Sequence, residues 1–175
     1  MGQTGTGKTF LAKQLTQNEQ RLFVLDHLDE YEEGIVFDSF EDLRDYFEKR
    51  NRRKFRCICR FSSYPEFDEL LDLVWETGNC VVLAEEAALL FPSGPVKEAN
   101  AAFVRIVNWG RHRNIRVVGI ATAAGEVHKV LRRQARAIYS FRQVDEDDLM
   151  ALKKRGFDVE KLAKLPDREF QKITS

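Results

Sequence analysis

Net charge is missing from this chain. Its 28 Lys and Arg offset 28 Asp and Glu over 175 residues, so bulk electrostatics point to no nucleic-acid partner and any basic surface must be local. Cysteine is scarce, three in all, which points to a reducing cytosol. Long apolar runs are also missing: the longest, such as 80–84 and 87–91, fall far short of a membrane span. No signal peptide opens the chain, and no internal repeat, linker or low-complexity stretch interrupts it. What is present is a balance of 43% hydrophobic and 32% charged residues, ordinary for a globular domain. The length suits one domain, residues 1–175, with a full core that needs neither disulfides nor metal.

The informative residues come first. Gly2-Gln3-Thr4-Gly5-Thr6-Gly7-Lys8-Thr9 satisfies G-x-x-x-x-G-K-[ST] at every fixed position. The glycines let the backbone curl so that successive N–H groups point inward as a nest for phosphate oxygens. The helical segment from Thr9 to Leu15 would aim its positive end at the same anion. In this pattern Lys8 reaches the β- and γ-phosphates of ATP and the Thr9 hydroxyl ligates Mg²⁺. The competing reading is a flexible Gly/Thr-rich tail, which does not account for the helix that follows. A P-loop is expected after a strand, yet only Met1 precedes this one. The expectation is therefore a fold lacking its first strand, through an internal start or loss of the preceding segment. Met1-Gly2-x-x-x-Thr6 also matches an acylation pattern, but Gly2 is explained by the P-loop and no polybasic run follows at once.

Downstream, short apolar runs alternate with helical periodicity. Strands are expected at 22–25, 56–61, 80–84, 115–121 and 137–141. Helices are expected at 40–47 and 67–75, from about Val96 to Trp109, and around 127–131, with two polar ones at 144–155 and 159–165. Strands alternating with helices imply an α/β fold, a mostly parallel sheet with helices on both faces. The run Val81-Val82-Leu83-Ala84 ends in Glu85-Glu86. At the carboxyl end of a parallel strand these acids face the ligand crevice. One would hold the hydration shell of Mg²⁺, the other would orient and polarise the attacking water. By order Glu85 takes the metal role, through water, and Glu86 the water role. A solvated acidic helix start is the alternative, and the P-loop in the same chain weighs against it.

At this point the chain resembles a family. The P-loop, Leu22–Asp26 followed by Glu30-Tyr31, Val81–Glu86 with Ala87, and Gly110-Arg111-His112-Arg113 before a strand are similar to HerA/FtsK-type P-loop ATPases. So are Arg133-Gln134-Ala135, Phe141-Arg142 and Asp147-Asp148-Leu149. Within that group the likeness is to viral genome-packaging ATPases and phage zonular-occludens-toxin-like assembly ATPases. The resemblance implies an ASCE, RecA-like fold, ATP hydrolysis with Mg²⁺, a homo-oligomeric ring (a hexamer) and work on double-stranded DNA, in the cytoplasm or, if viral, in host cytoplasm or virion. It also implies a trans-acting arginine, for which Arg111 and Arg113 are the candidates; helix-end capping is the alternative for both. Two departures from the pattern stand out. Glu85 replaces the usual Asp, and Ala121-Thr122 is followed by Ala123-Ala124-Gly125 where a polar sensor is usual. Thr122 is left to contact the γ-phosphate.

Other features have plainer readings. The basic run 49–56 reads as a solvated helix end beside nearby acids, or as a contact for DNA phosphates; Arg132-Arg133 and Arg136 carry the same ambiguity. His112 reads as a surface residue. Cys57 and Cys59, on one face of a strand, read as core packing. The function expected is an ATP-driven motor of the packaging or translocase type. The alternatives are an assembly or secretion ATPase acting on protein at a membrane and a non-catalytic nucleotide-binding module. A small-molecule kinase is more distant, since no arginine-bearing lid is evident.

Overall fold

The structure, a computed structural model, describes residues 1–49, 53–90 and 101–174. Its elements run α1 (Lys8–Thr16), β1 (Arg21–Leu25), β2 (Ile35–Phe37), α2 (Phe40–Glu48), β3 (Phe55–Cys59), α3 (Tyr64–Thr77), β4 (Cys80–Ala84) and α4 (Ala87–Leu90). There follow α5 (Ala101–Trp109), a 3₁₀ turn (Gly110–Arg113), β5 (Ile115–Gly119), α6 (Lys129–Gln134), β6 (Ala137–Ser140), α7 (Glu146–Lys153), α8 (Val159–Leu162) and β7 (Gln171–Thr174). Of the helix expected from Val96, residues 96–100 lie outside the described residues.

Five strands form a parallel sheet in the order β2-β3-β1-β4-β5. The central strands are covered on both faces, which is why they read as continuous apolar runs. Phe23 and Leu25 of β1, Cys57 and Cys59 of β3 and Val82 of β4 face a core closed by α2, α3 and α5. Leu22, Val24, Val81 and Leu83 face the other way, against Ala12 of α1. A third cluster, Leu152, Phe157, Leu162 and Leu165 with Ala124, joins α7 and α8 to the loop after β5. Among the described residues no helix is long and apolar enough to cross a membrane.

One expectation is corrected here. Strand 137–141 does form, as β6, but it pairs antiparallel with β7 in a separate two-stranded sheet. Between β5, the edge of the parallel sheet, and β6 lies a cavity of about 600 Å³, lined by Leu11 and Leu15 of α1, Val117 of β5, Leu131 of α6 and Ile138 of β6. The Met1 backbone pairs with the end of β6. Its N donates to Tyr139 O (2.7 Å) and its O accepts from Phe141 N (2.9 Å), the reciprocal pair of a parallel bridge. A backbone running back from Met1 therefore enters the cavity beside β6, facing the free edge of β5. Placing five apolar β-branched residues ahead of Met1 is expected to stabilise the chain. Side-chain burial and ladder hydrogen bonds exceed ordering entropy by about 0.5–1 kcal/mol per residue. The several kcal/mol that result raise Tm by roughly 10 °C in a thermal melt; an unchanged Tm would mean that the slot does not accept a strand.

Candidate functional site

The carboxyl ends of β1, β4 and β5 and the amino end of α1 converge on one crevice, and each element's sequence explains its part. In the loop before α1, Gly5 and Gly7 lie at φ 78° and 104°, left-handed conformations that side-chain-bearing residues rarely adopt. A Cβ on Gly2 would lie 2.6 Å from Phe141 Cβ, so only glycine lets the loop sit this close to the end of β6. The Thr6 hydroxyl donates to Gln3 O at 2.7 Å, and Lys8 Nζ donates to the same carbonyl at 2.9 Å. Lys8 thus lies folded across the loop. Burial lowers its pKa, and the Glu86 and Glu85 carboxylates pull it back up.

Glu85 is buried. Its Oε1 accepts from the Thr9 hydroxyl at 3.0 Å and its Oε2 from the Tyr31 phenol at 2.9 Å. Burial pushes its carboxyl above the ordinary carboxylate range, while the hydrogen bonds from Tyr31 and Thr9 pull it down. Tyr31 reaches this point because Asp26, wholly buried at the end of β1, folds the loop behind it. Asp26 accepts from the N–H groups of Glu30 (2.8 Å) and Tyr31 (3.2 Å) and pairs with Arg60 (3.1 Å). Burial and the Glu85 carboxylate hold the Tyr31 phenol protonated as a donor.

Glu86 turns the other way. Its φ of 49° is left-handed, a conformation costing a non-glycine residue about 1–3 kcal/mol and found most often at functional sites. That turn carries its carboxylate to the end of the neighbouring strand, where Oε1 accepts from Thr122 N (3.2 Å) and Oε2 from the Thr122 hydroxyl (2.7 Å). Thr122 is held in turn by residues with no role assigned from sequence. The buried Gln143 donates its amide to Thr122 O at 2.8 Å. Asp148 Oδ1 accepts from Ala124 N (2.7 Å) and Gly125 N (3.1 Å). An amide is thus present at this loop, supplied from after β6 rather than from the position next to Thr122.

The structure brings together Gly2 to Thr9, Glu85, Glu86 and Thr122, and separates them from Arg111 and Arg113. Those two lie in the 3₁₀ turn that enters β5, at the amino end of the sheet, roughly 16 Å of strand away from Thr122. Arg113 is engaged locally: it donates to Glu76 O at 3.0 Å and lies 5.4 Å over the Trp75 ring. Arg111 is exposed and reaches the adjacent His112 at 3.4 Å. Of the basic run 49–56, residues 50–52 lie outside the described residues, and Lys49 pairs with Asp45 at 2.8 Å.

Chemically, the crevice offers a backbone cradle for an anion, a lysine beside it, a hydroxyl–carboxylate pair of hard oxygen donors suited to Mg²⁺, and a second carboxylate next to that pair. A search of curated proteins gives no significant match. Among solved structures, the genome packaging NTPase B204 from Sulfolobus turreted icosahedral virus 2 in complex with AMPPCP superposes with a TM-score of 0.78. It is 18% identical over 99% of this chain and 89% of that one. B204, the DNA-packaging ATPase from Sulfolobus turreted icosahedral virus, gives 0.74 at 16% identity over 99% and 89%. The N-terminal domain of zonular occludens toxin from Neisseria meningitidis gives 0.53 at 15% identity over 82% and 74%. At these identities the likeness is one of fold: a P-loop NTPase fold shared with packaging ATPases. The model of the ATPase family associated with various cellular activities (AAA) matches residues 1–142, and the chain belongs to that family.

Proposed function

We propose that residues 1–175 act as one ATP-hydrolysing motor domain of the HerA/FtsK type, working in a homo-oligomeric ring to move double-stranded DNA, as in genome packaging. One observation carries the reading: Thr9 and Glu85 meet at 3.0 Å beside the phosphate cradle while Glu86, next in sequence, turns to Thr122. That divides two adjacent acids into two tasks. Thr9 and Glu85 would hold Mg²⁺, which when bound neutralises charge on the phosphoryl oxygens. Tyr31 fixes the outer oxygen of Glu85 and so fits the extra methylene of a glutamate into a place where aspartate is usual. Lys8 exchanges Gln3 O for the β- and γ-phosphates. Glu86 orients the attacking water and accepts its proton, and Thr122 sets where that carboxylate points. The DNA assignment draws on the likeness to B204, a DNA-packaging ATPase.

Lys8→Ala removes the cation at the phosphates and leaves the loop glycines in place. ATP affinity in calorimetry is expected to fall about 100-fold, as for a lost charge-assisted contact in a sheltered site, while Tm stays close to that of the parent. An unchanged affinity would put the nucleotide elsewhere. Titrating double-stranded DNA into the ATPase assay separates work on DNA, in which turnover rises, from work on protein, in which it does not.

A further inference from the structure

We infer that Phe10 and Arg168 form the seat for the nucleobase, so that the carboxyl-terminal segment 165–170 supplies one side of the base site. This rests on reading residues 2–9 as the phosphate cradle, and it goes beyond that reading, because nothing in the P-loop pattern says where the base lies. Phe10 is two residues past Lys8, in the first turn of α1, and is 54% exposed. A lone exposed phenylalanine is unremarkable; its surroundings are what matter. The Arg168 guanidinium lies over its ring, 5.8 Å from the centroid.

Arg168 is built into this position. Its N–H donates to Thr6 O of the P-loop at 2.8 Å, and its φ of 68° is left-handed. Its Cα lies so close to the loop that a Cβ on Gly7 would come within 3.2 Å of it. The segment is fastened on both sides. Arg142 pairs with Asp167 at 2.9 Å, and Phe170 packs on Phe141 and Tyr139 at 5.5 and 5.3 Å. A strained backbone docked on the loop and tied down at both ends serves to hold the Arg168 side chain at the edge of the phosphate cradle. What it faces across that edge is a largely exposed aromatic ring. A planar heterocycle attached through a ribose to phosphates in the loop meets a π face and a guanidinium plane there, the two groups on which bases stack.

The test compares two ligands that share phosphates and differ in the base. Calorimetry of the full chain with ATP and with inorganic tripolyphosphate is run on the parent, Phe10→Ala, Phe10→Trp and Arg168→Ala. Stacking contributions to base binding translate into roughly 5- to 100-fold in affinity. ATP binding is therefore expected to weaken by about 10-fold or more in Phe10→Ala and by several-fold in Arg168→Ala. Tripolyphosphate binding stays at the parent value in Phe10→Ala and falls less than ATP binding in Arg168→Ala, whose charge lies at the edge of the cradle, and Phe10→Trp restores ATP. Phe10→Ala with unchanged ATP affinity overturns the inference, and so does an equal loss for both ligands, which would make Phe10 a support of the loop. A parent that binds neither ligand overturns the phosphate-cradle reading and this inference with it.

Discussion

Glu86→Gln is expected to bind ATP as the parent does and to hydrolyse it about 10²- to 10⁴-fold more slowly, the range for removing a general base. The fold tolerates the change. An amide has the shape of the carboxylate, its carbonyl still accepts from Thr122 N, and the Thr122 hydroxyl rotates to accept from the new NH₂ where it now donates at 2.7 Å. What is lost is the ability to take a proton from water. Glu85→Gln fails differently. Its Oε2 partner is the Tyr31 phenol, a donor, so an amide oxygen is still accommodated, but the negative charge beside Thr9 is gone. The expected signature is a higher Mg²⁺ concentration for half-maximal turnover, with a smaller loss at saturating Mg²⁺. Single-turnover hydrolysis and Mg²⁺ titrations of the two variants separate these outcomes. If Glu86→Gln turns over like the parent, the water role passes to Glu85, and the left-handed turn at Glu86 has only a structural purpose.

Legibility in the sequence followed sequence distance. The P-loop was readable because all of its chemistry is contiguous, and β1 and β4 because burial on both faces left unbroken apolar runs at Leu22–Leu25 and Cys80–Ala84. Strand β2 is three residues long, two of them exposed, too short for a period to register. Strand β7, Gln-Lys-Ile-Thr with exposed alternate positions, is a strand only because β6 is there to pair with it. For β6 the local pattern was right and the sheet was not, since pattern carries no information about partners. Tyr31 and Asp148 stand among the residues that carry the family resemblance, but the contacts of the supporting residues were beyond reach for the same reason. Tyr31 meets Glu85 across 54 positions, Gln143 meets Thr122 across 21 and Asp148 meets Ala124 across 24. A tyrosine in a loop or an aspartate in a first helical turn has an ordinary local explanation, and the fold alone gives it another. One signal was present: Asp26 directly follows the apolar run Leu22–Leu25, and in the fold it is wholly buried at the end of β1. A buried carboxylate needs partners, and those it finds, the Glu30 and Tyr31 amides and Arg60, shape the loop that brings Tyr31 to Glu85.

Arg111→Ala is expected to lower turnover by about 10³-fold or more, the scale of an arginine supplied in trans to a transferring phosphoryl group, without weakening ATP binding to the isolated subunit. Within the proposed ring, this is a statement about neighbouring subunits. Arg111 stands at the amino end of β5 and the nucleotide crevice at the carboxyl ends of the strands, so it cannot serve its own subunit's site. Arg113 shares that location, but its guanidinium is occupied by Glu76 O and the Trp75 ring, which ranks Arg111 first. Turnover per subunit of the parent should then rise with protein concentration, as assembly is driven by mass action. Mixing sharpens the test. Arg111→Ala subunits keep Glu86, and Glu86→Gln subunits keep Arg111, so in an equal mixture roughly a quarter of the head-to-tail interfaces carry both intact groups by random assortment. Two chains inactive alone should therefore recover on mixing up to about that fraction of the parent rate. A mixture that stays inactive while the parent is active in rings rejects Arg111 and passes the role to Arg113, tested in the same way. A parent active at full rate as a dilute monomer removes the trans arginine from the mechanism, because Arg111 lies before β5 and the crevice beyond its far end.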